Sequence, residues 1–154
     1  MGQSASSLNT EPLPYLKDVL ALSFKDRKQV RTTLDLFPLS KSGLSIKALH
    51  RLQKKLGVNN REMSQLVGMS ESTLQRRYRT DRRLSEIESQ TVLQLAELWS
   101  QGMEVFEDEN DLRTWLQSEV PALGERTPIT LLATPLGRFH VQEVLLRLEW
   151  SIYS

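Results

Sequence analysis

The chain has no cysteine and only two histidines in 154 residues. Disulfides, thiolate metal sites and a thiol nucleophile are therefore excluded, and a reducing compartment suits it. No glycine-rich phosphate loop and no His or carboxylate cluster at metal-ligand spacing occurs, so neither metal nor cofactor is expected. The acidic residues from Glu104 to Asp111 lack the order of a calcium-binding loop and read as a solvated helix junction. With no nucleophile, base and oxyanion donor together, catalysis is not expected. No apolar run approaches membrane-spanning length, and the start, MGQSASSLNTEP, has neither a cationic stretch nor an apolar core. It does not read as a secretory signal, and the cytoplasm is the expected location.

What the chain does have is charge, distributed unevenly. The net charge is only +1. Yet from Lys47 to Arg83 ten basic residues face three acidic ones, and from Leu84 to Thr127 two basic face ten acidic. A basic half suits a polyanion, and an acidic neighbour does not share that phosphate backbone, so the two halves are expected to meet different partners.

Helical periodicity runs through nearly all of it, and the fold class is all-α. Residues 1 to 14 are polar and expected to be mobile. Tyr15 to Phe24 and Arg27 to Phe37 suggest short helices, the second ended by Pro38 and a Ser40–Gly43 turn. Leu49, Leu52 and Leu56 then mark a helix from Ser45 to Gly57, with His50 on its exposed polar side. Ser85-x-x-Glu88 is a capping box opening the longest helix, Glu86 to Phe106, whose stripe of Ile87, Thr91, Leu95, Leu98 and Gly102, flanked by Val92, Trp99 and Phe106, makes it the spine. Asp108 caps a short helix to Gln117. Thr127-Pro128 and Thr134-Pro135 each place a cap before a first-turn proline. The last helix, Leu136 to Trp150, turns Val141, Val144, Leu145 and Leu148 inward, and Arg138, Gln142, Glu143, Arg147 and Glu149 outward.

The most informative stretch is NNREMSQLVGMSESTLQRRYRTDRR, Asn59 to Arg83. Asn59 caps a helix with Glu62 three residues on, Gly68 offers the left-handed turn, and Ser70 caps a second helix to Arg79 whose Leu74 and Tyr78 share an inner face. Ser64 is the small residue at the crossing. This register is that of a helix-turn-helix with a basic outer face. Gln75 and Arg76 are the types that bond base edges bidentately, with Ser70 and Ser72 nearer the backbone. Arg79, Arg82 and Arg83 suit phosphates. The other reading is a solvated arginine-rich helix end that favours the dipole's negative terminus.

At the other end the chain finishes in WSIYS, placing Trp150, Ile152 and Tyr153 where most chains are polar. Such groups either dock on the parent core or fill a pocket in a partner, where Trp, Tyr and Arg dominate binding energy.

The blocks LGVNNREMSQLVGMSESTLQRRYR, RRLSEIES, VFEDENDLRTWL, TPITLLATPLG and VQEVLLRLEWSIYS, in this order, resemble the antitoxins of RES–Xre toxin–antitoxin systems over roughly the last two-thirds of the chain. The resemblance implies an Xre-like helix-turn-helix domain (45–83) and a small helical toxin-binding domain of the kind shared with the MbcA and ParS antitoxins (84–154), joined by the long helix; it does not cover the segment before them (1–44), read as partly flexible with short helices. It implies a homodimer that binds operator DNA of its own operon and a partner toxin of the RES fold that consumes NAD⁺. It also implies that the C-terminus, here Arg147, Glu149, Trp150, Ile152, Tyr153 and Ser154, enters the toxin's active-site cleft. The ending departs from the family's in having Trp150-Ser151 where tyrosine and glycine are usual. A helix-turn-helix regulator with no toxin is the competing reading; it gives the acidic half and the aromatic end no role.

Overall fold

The computed structural model of the chain describes residues 13–153, the side chains of Leu13, Phe24 and Tyr153 excepted. The expected mobility of residues 1 to 14 therefore falls, as far as residue 12, outside the described residues. Among the described residues there are ten α-helices, two short 3-10 turns and no strand. In chain order they are α1 (Leu13–Val19), α2 (Phe24–Gln29), a 3-10 turn (Thr33–Leu36), α3 (Phe37–Ser42), α4 (Ile46–Leu56), α5 (Asn60–Val67) and α6 (Glu71–Arg79). There follow α7 (Glu86–Phe106), α8 (Glu109–Leu116), a second 3-10 turn (Pro121–Leu123), α9 (Pro128–Leu131) and α10 (Pro135–Tyr153).

Helix α7 is the spine, for a physical reason. Ser85 accepts from the Glu88 amide at 3.1 Å, and the Glu88 carboxylate accepts the Ser85 N–H at 2.8 Å, so both halves of the capping box form. Beyond that first turn, residues from Ser89 to Met103 are buried on nearly every side of the helix. A helix apolar over that width must be covered from several directions, and α1, α3, α4, α5, α8 and α10 all pack on it. Ile87 is an exception to the expected stripe: it sits in the first turn, 77% exposed, ahead of where the neighbours begin.

Residues 13–44 join the same core. Leu16, Val19, Leu20, Val30, Leu36 and Leu44 are all buried. Two expectations for this segment need correction. Helix α1 stops at Val19, because Ala21 takes a left-handed backbone (φ 50°). The segment placed as one helix from Arg27 to Phe37 is instead α2, a 3-10 turn and α3. Pro38 does not end a helix there; it lies in the first turn of α3, where a missing N–H costs nothing.

The turn into α4 is clasped from the far side of the sequence. The Leu44 N–H donates to the buried Ser89 hydroxyl at 2.9 Å, the Leu84 N–H to the Leu44 carbonyl at 2.9 Å, and Arg83 Nη1 to the Gly43 carbonyl at 2.8 Å. A second seam ties three elements together through charge. Lys55 on α4 pairs with Asp18 at 3.3 Å and with Glu109 on α8, and Arg51 pairs with Asp18 at 2.5 Å. Burial pulls the Asp18 carboxyl upward, but Arg51 and Lys55 outweigh it and hold it below its ordinary value.

Candidate functional site

Two solvent-facing helices carry the candidate residues. Asn59 caps α5 by accepting from the Glu62 amide at 2.8 Å, the forward half of the expected box. The helix ends at Gly68, which adopts the left-handed conformation (φ 71°) with its N–H on the Ser64 carbonyl. Ser64 is buried, and its hydroxyl donates to Arg61 O at 2.7 Å, leaving a small, self-satisfied residue at the crossing. Ser70 then caps α6, accepting from the Thr73 amide at 3.1 Å. Leu74 is fully buried.

Two polar residues absent from the sequence reading fix the angle of α6. Buried Gln53 of α4 receives the Tyr78 hydroxyl, and its own amide donates to Val58 O at 3.2 Å and Asn60 Oδ1 at 2.8 Å, so one side chain joins α4, α5 and α6. Burial pushes the Tyr78 phenol well above its usual range, which keeps it a donor. Arg77 turns away from solvent and grips Glu88 with two bonds, 2.7 and 3.2 Å, tying α6 to the first turn of α7. Burial alone would raise the Glu88 carboxyl, but the Ser85 N–H and Arg77 hold it below its ordinary value. The signal was legible in spacing: Arg77 falls on the side of Leu74, among arginines that do not.

With Arg77 withdrawn, the exposed face of α6 carries Ser72, Gln75, Arg76 and Arg79, with the Ser70 cap at its start. Arg82 and Arg83 follow in the exposed segment leading to α7. Arg76, Arg79 and Arg82 have no hydrogen-bond or ion-pair partner among the described residues, whereas Arg83 also serves the Gly43 clasp. A helix presenting Gln and unpaired Arg beside a capped N-terminus has the donors that base edges and phosphates accept.

The second helix is α10. Its inner side, Val141, Val144, Leu145 and Leu148, packs against α7 and α9, and Gly137 permits the closest approach, since a Cβ there would lie 1.8 Å from the Leu131 carbonyl. Arg138, placed on the polar side by sequence, is instead buried: its guanidinium donates to Gln94 Oε1 at 2.6 Å and Leu132 O at 2.9 Å. Nor does the helix stop at Trp150. It runs through Tyr153, and where glycine would favour a left-handed end, Ser151 stays helical and donates its hydroxyl to Leu148 O at 2.8 Å. The expected tail is thus the last turn of a helix. Trp150 is 74% exposed, Ile152 continues the inner side past the edge of the core, and Arg147 lies outside, 3.9 Å from Glu143. Glu149 is half-buried. The Tyr153 side chain and Ser154 lie outside the described residues.

The outer side of α10 holds more than the sequence reading assigned to it. Leu136, Phe139 and Leu146 are exposed there together with Trp150. Among the described residues, no helix is long and apolar enough to cross a membrane, and no three His, Cys, Asp or Glu side chains gather as a metal site.

The architecture is that of an all-α chain in which a helix-turn-helix with solvent-facing arginines is followed by a long helix and a helical C-terminal part ending in an exposed helix. Residues 35–97 match the antitoxin Xre-like helix-turn-helix domain, and residues 101–150 match the antitoxin Xre/MbcA/ParS C-terminal toxin-binding domain. The chain is similar to the protein named Antitoxin Xre of Yersinia enterocolitica (serotype O:8 / biotype 1B), 25% identical over 115 residues, covering 74% of this chain and 78% of that protein. It is also similar to the Prs ADP-ribosylating antitoxin of Sphingobium sp. (strain YBL2), 27% identical over 130 residues, 79% of this chain and 82% of that one. The chain is an antitoxin of a toxin–antitoxin system, with an Xre-like helix-turn-helix domain and a C-terminal toxin-binding domain of the Xre/MbcA/ParS kind.

Proposed function

We propose that the chain neutralises a RES-domain, NAD⁺-consuming toxin by setting the end of α10 in the toxin's active-site cleft, and that as a homodimer it binds operator DNA to repress its own operon. The observation that carries the first part is the placement of Trp150 and Ile152, large apolar groups at a helix end that stay mostly exposed among the described residues. Such groups supply binding energy when a partner desolvates them. Inhibition is then steric, and this chain contributes no chemistry. The second part rests on the unpaired arginines around α6. In a dimer two copies of α6 would stand about 34 Å apart, one turn of duplex, so each enters the major groove on one face. A regulator acting without a toxin would leave the exposed side of α10 with no partner.

Removing Trp150–Ser154 tests the reading. The truncated chain is expected to retain operator binding and to lose the ability to rescue cells expressing the RES-domain toxin encoded beside it. Rescue by the truncated chain would overturn the cleft mechanism, and the absence of a RES-domain neighbour would overturn the choice of toxin.

A further inference from the structure

Helix α10 is apolar on two opposite sides, and among the described residues only one of them is covered by other helices. Leu136, Phe139, Leu146 and Trp150 recur at intervals of three, seven and four residues, so with Glu143 they fill successive a and d positions of a heptad. That line runs along the side facing away from Val141, Val144, Leu145 and Leu148. The four apolar side chains are 69%, 53%, 38% and 74% exposed. Within the span matching the toxin-binding domain, residues 101–150, they are all of the large hydrophobic residues so exposed among the described residues. The other large exposed apolar groups among the described residues, Leu34, Phe37, Ile87 and Ile152, lie outside that span.

We infer that this outer stripe of α10, from Leu136 to Trp150, is the docking surface for the body of the cognate toxin, and that it holds the complex together while the terminal turn does the blocking. The inference deepens the proposed function and rests on the reading that α10 meets a toxin. Trp150 belongs to both surfaces, so the stripe continues the terminal contact along the helix axis, over about 21 Å at 1.5 Å per residue. Its exposed apolar area is on the order of 400 Å², about half of what one side of a standard interface buries. The partner it fits is a groove of helix width, apolar along its floor, with a cation or N–H donor facing Glu143. A second copy fits less well. Parallel in-register pairing, or antiparallel pairing centred on the stripe, brings Glu143 against Glu143 in an apolar seam, where each carboxylate is offset only by its own helix's largely exposed Arg147 at 3.9 Å and like charges still face each other.

The experiment uses the full-length chain and its purified cognate toxin carrying an inactivating active-site substitution. Binding is measured by calorimetry and operator binding serves as the control for folding. Phe139→Ser combined with Leu146→Ser, both at solvent-facing positions, should weaken toxin binding at least 30-fold and leave operator binding unchanged. Deleting only Ser151–Ser154 should weaken binding less than tenfold, yet release the activity of wild-type toxin. A double variant that binds within threefold of the parent overturns the inference while leaving the cleft mechanism standing. So does a double variant that turns from dimer to monomer with toxin affinity intact, since the stripe would then be covered by a second copy. If the parent chain itself fails to bind the toxin, the reading beneath the inference has failed and the inference with it.

Discussion

The outer faces of α6 and α10 are built from opposite materials. Helix α6 is the shorter, rests on α4 and α5, and presents Gln75, Arg76 and Arg79; α10 lies directly on α7 and presents leucine, phenylalanine and tryptophan. An arginine face gains affinity by releasing counterions and tolerates a loosely defined surface opposite it. An apolar face gains affinity only where a complementary surface excludes water, so it has to be rigid along its length. The supports differ in proportion: Gln53 and Arg77 fix α6 by directional polar bonds, while α10 rests chiefly on buried aliphatic packing, with Arg138 adding bonds to Gln94 and Leu132.

Salt should separate the two faces most sharply. If a dimer neutralises six or more phosphates, raising salt from 50 to 200 mM should weaken operator binding by about 10³-fold. The toxin complex should change by less than about threefold, because its core contacts are apolar. On the same titration Arg76→Ala should cost about 1–3 kcal/mol against the specific operator and relax its sequence preference, whereas Arg79→Ala should weaken all sequences alike and flatten the salt slope. Gel-shift titrations at several salt concentrations read both effects; an unchanged affinity for Arg76→Ala at physiological salt would remove α6 as the reading helix.

The helix-turn-helix was readable because its signals are local. Asn59, Gly68, Ser70 and the Leu74–Tyr78 pair act within one or two turns, and the backbone obeys them. Pro38 misled because proline ends one helix and begins another with the same chemistry; only the packing of Leu36 beside it decides which. Arg138 misled for a related reason: its residue type is polar, but its bonds to Gln94 and Leu132 come from elements 44 and six residues away. The outer stripe of α10 was present in the spacing of Leu136, Phe139, Leu146 and Trp150 all along. It was hidden by Gln142, Arg147 and Glu149 interleaved with it, and by the expectation that a helix has a single apolar side.

The link between the two units can be broken without touching either outer face. Arg77→Met removes the two hydrogen bonds to Glu88 that join α6 to α7, which should cost about 2 kcal/mol at neutral pH. The sign of its pH dependence follows from Glu88, whose carboxyl is held below its ordinary value in the folded chain. A lowered carboxylate stabilises the fold above its unfolded value, near pH 4, and that contribution is lost as pH falls through the folded value. Parent and variant should therefore differ fully at pH 7 and converge only as pH falls through the folded value, below the ordinary glutamate range. Denaturant melts across that range test it; a gap that stays constant into acid would mean that Arg77 acts through packing alone.

The smallest effect expected is at the turn that makes α6 a separate helix. Gly68 has φ 71°, and a Cβ placed there would meet nothing within 4 Å, so Gly68→Ala carries only the backbone cost of a left-handed L-residue, about 1 kcal/mol. Gly68→Asn should cost less, because asparagine tolerates that region. Both should leave toxin binding through α10 unchanged, since the loss is confined to the turn and to the helix it aims. Thermal melts of the two variants order them: alanine below asparagine, and asparagine just below the parent. A loss of several kcal/mol for alanine would place an unseen neighbour over the turn, which at this position would be a second copy of the chain or the nucleic acid itself.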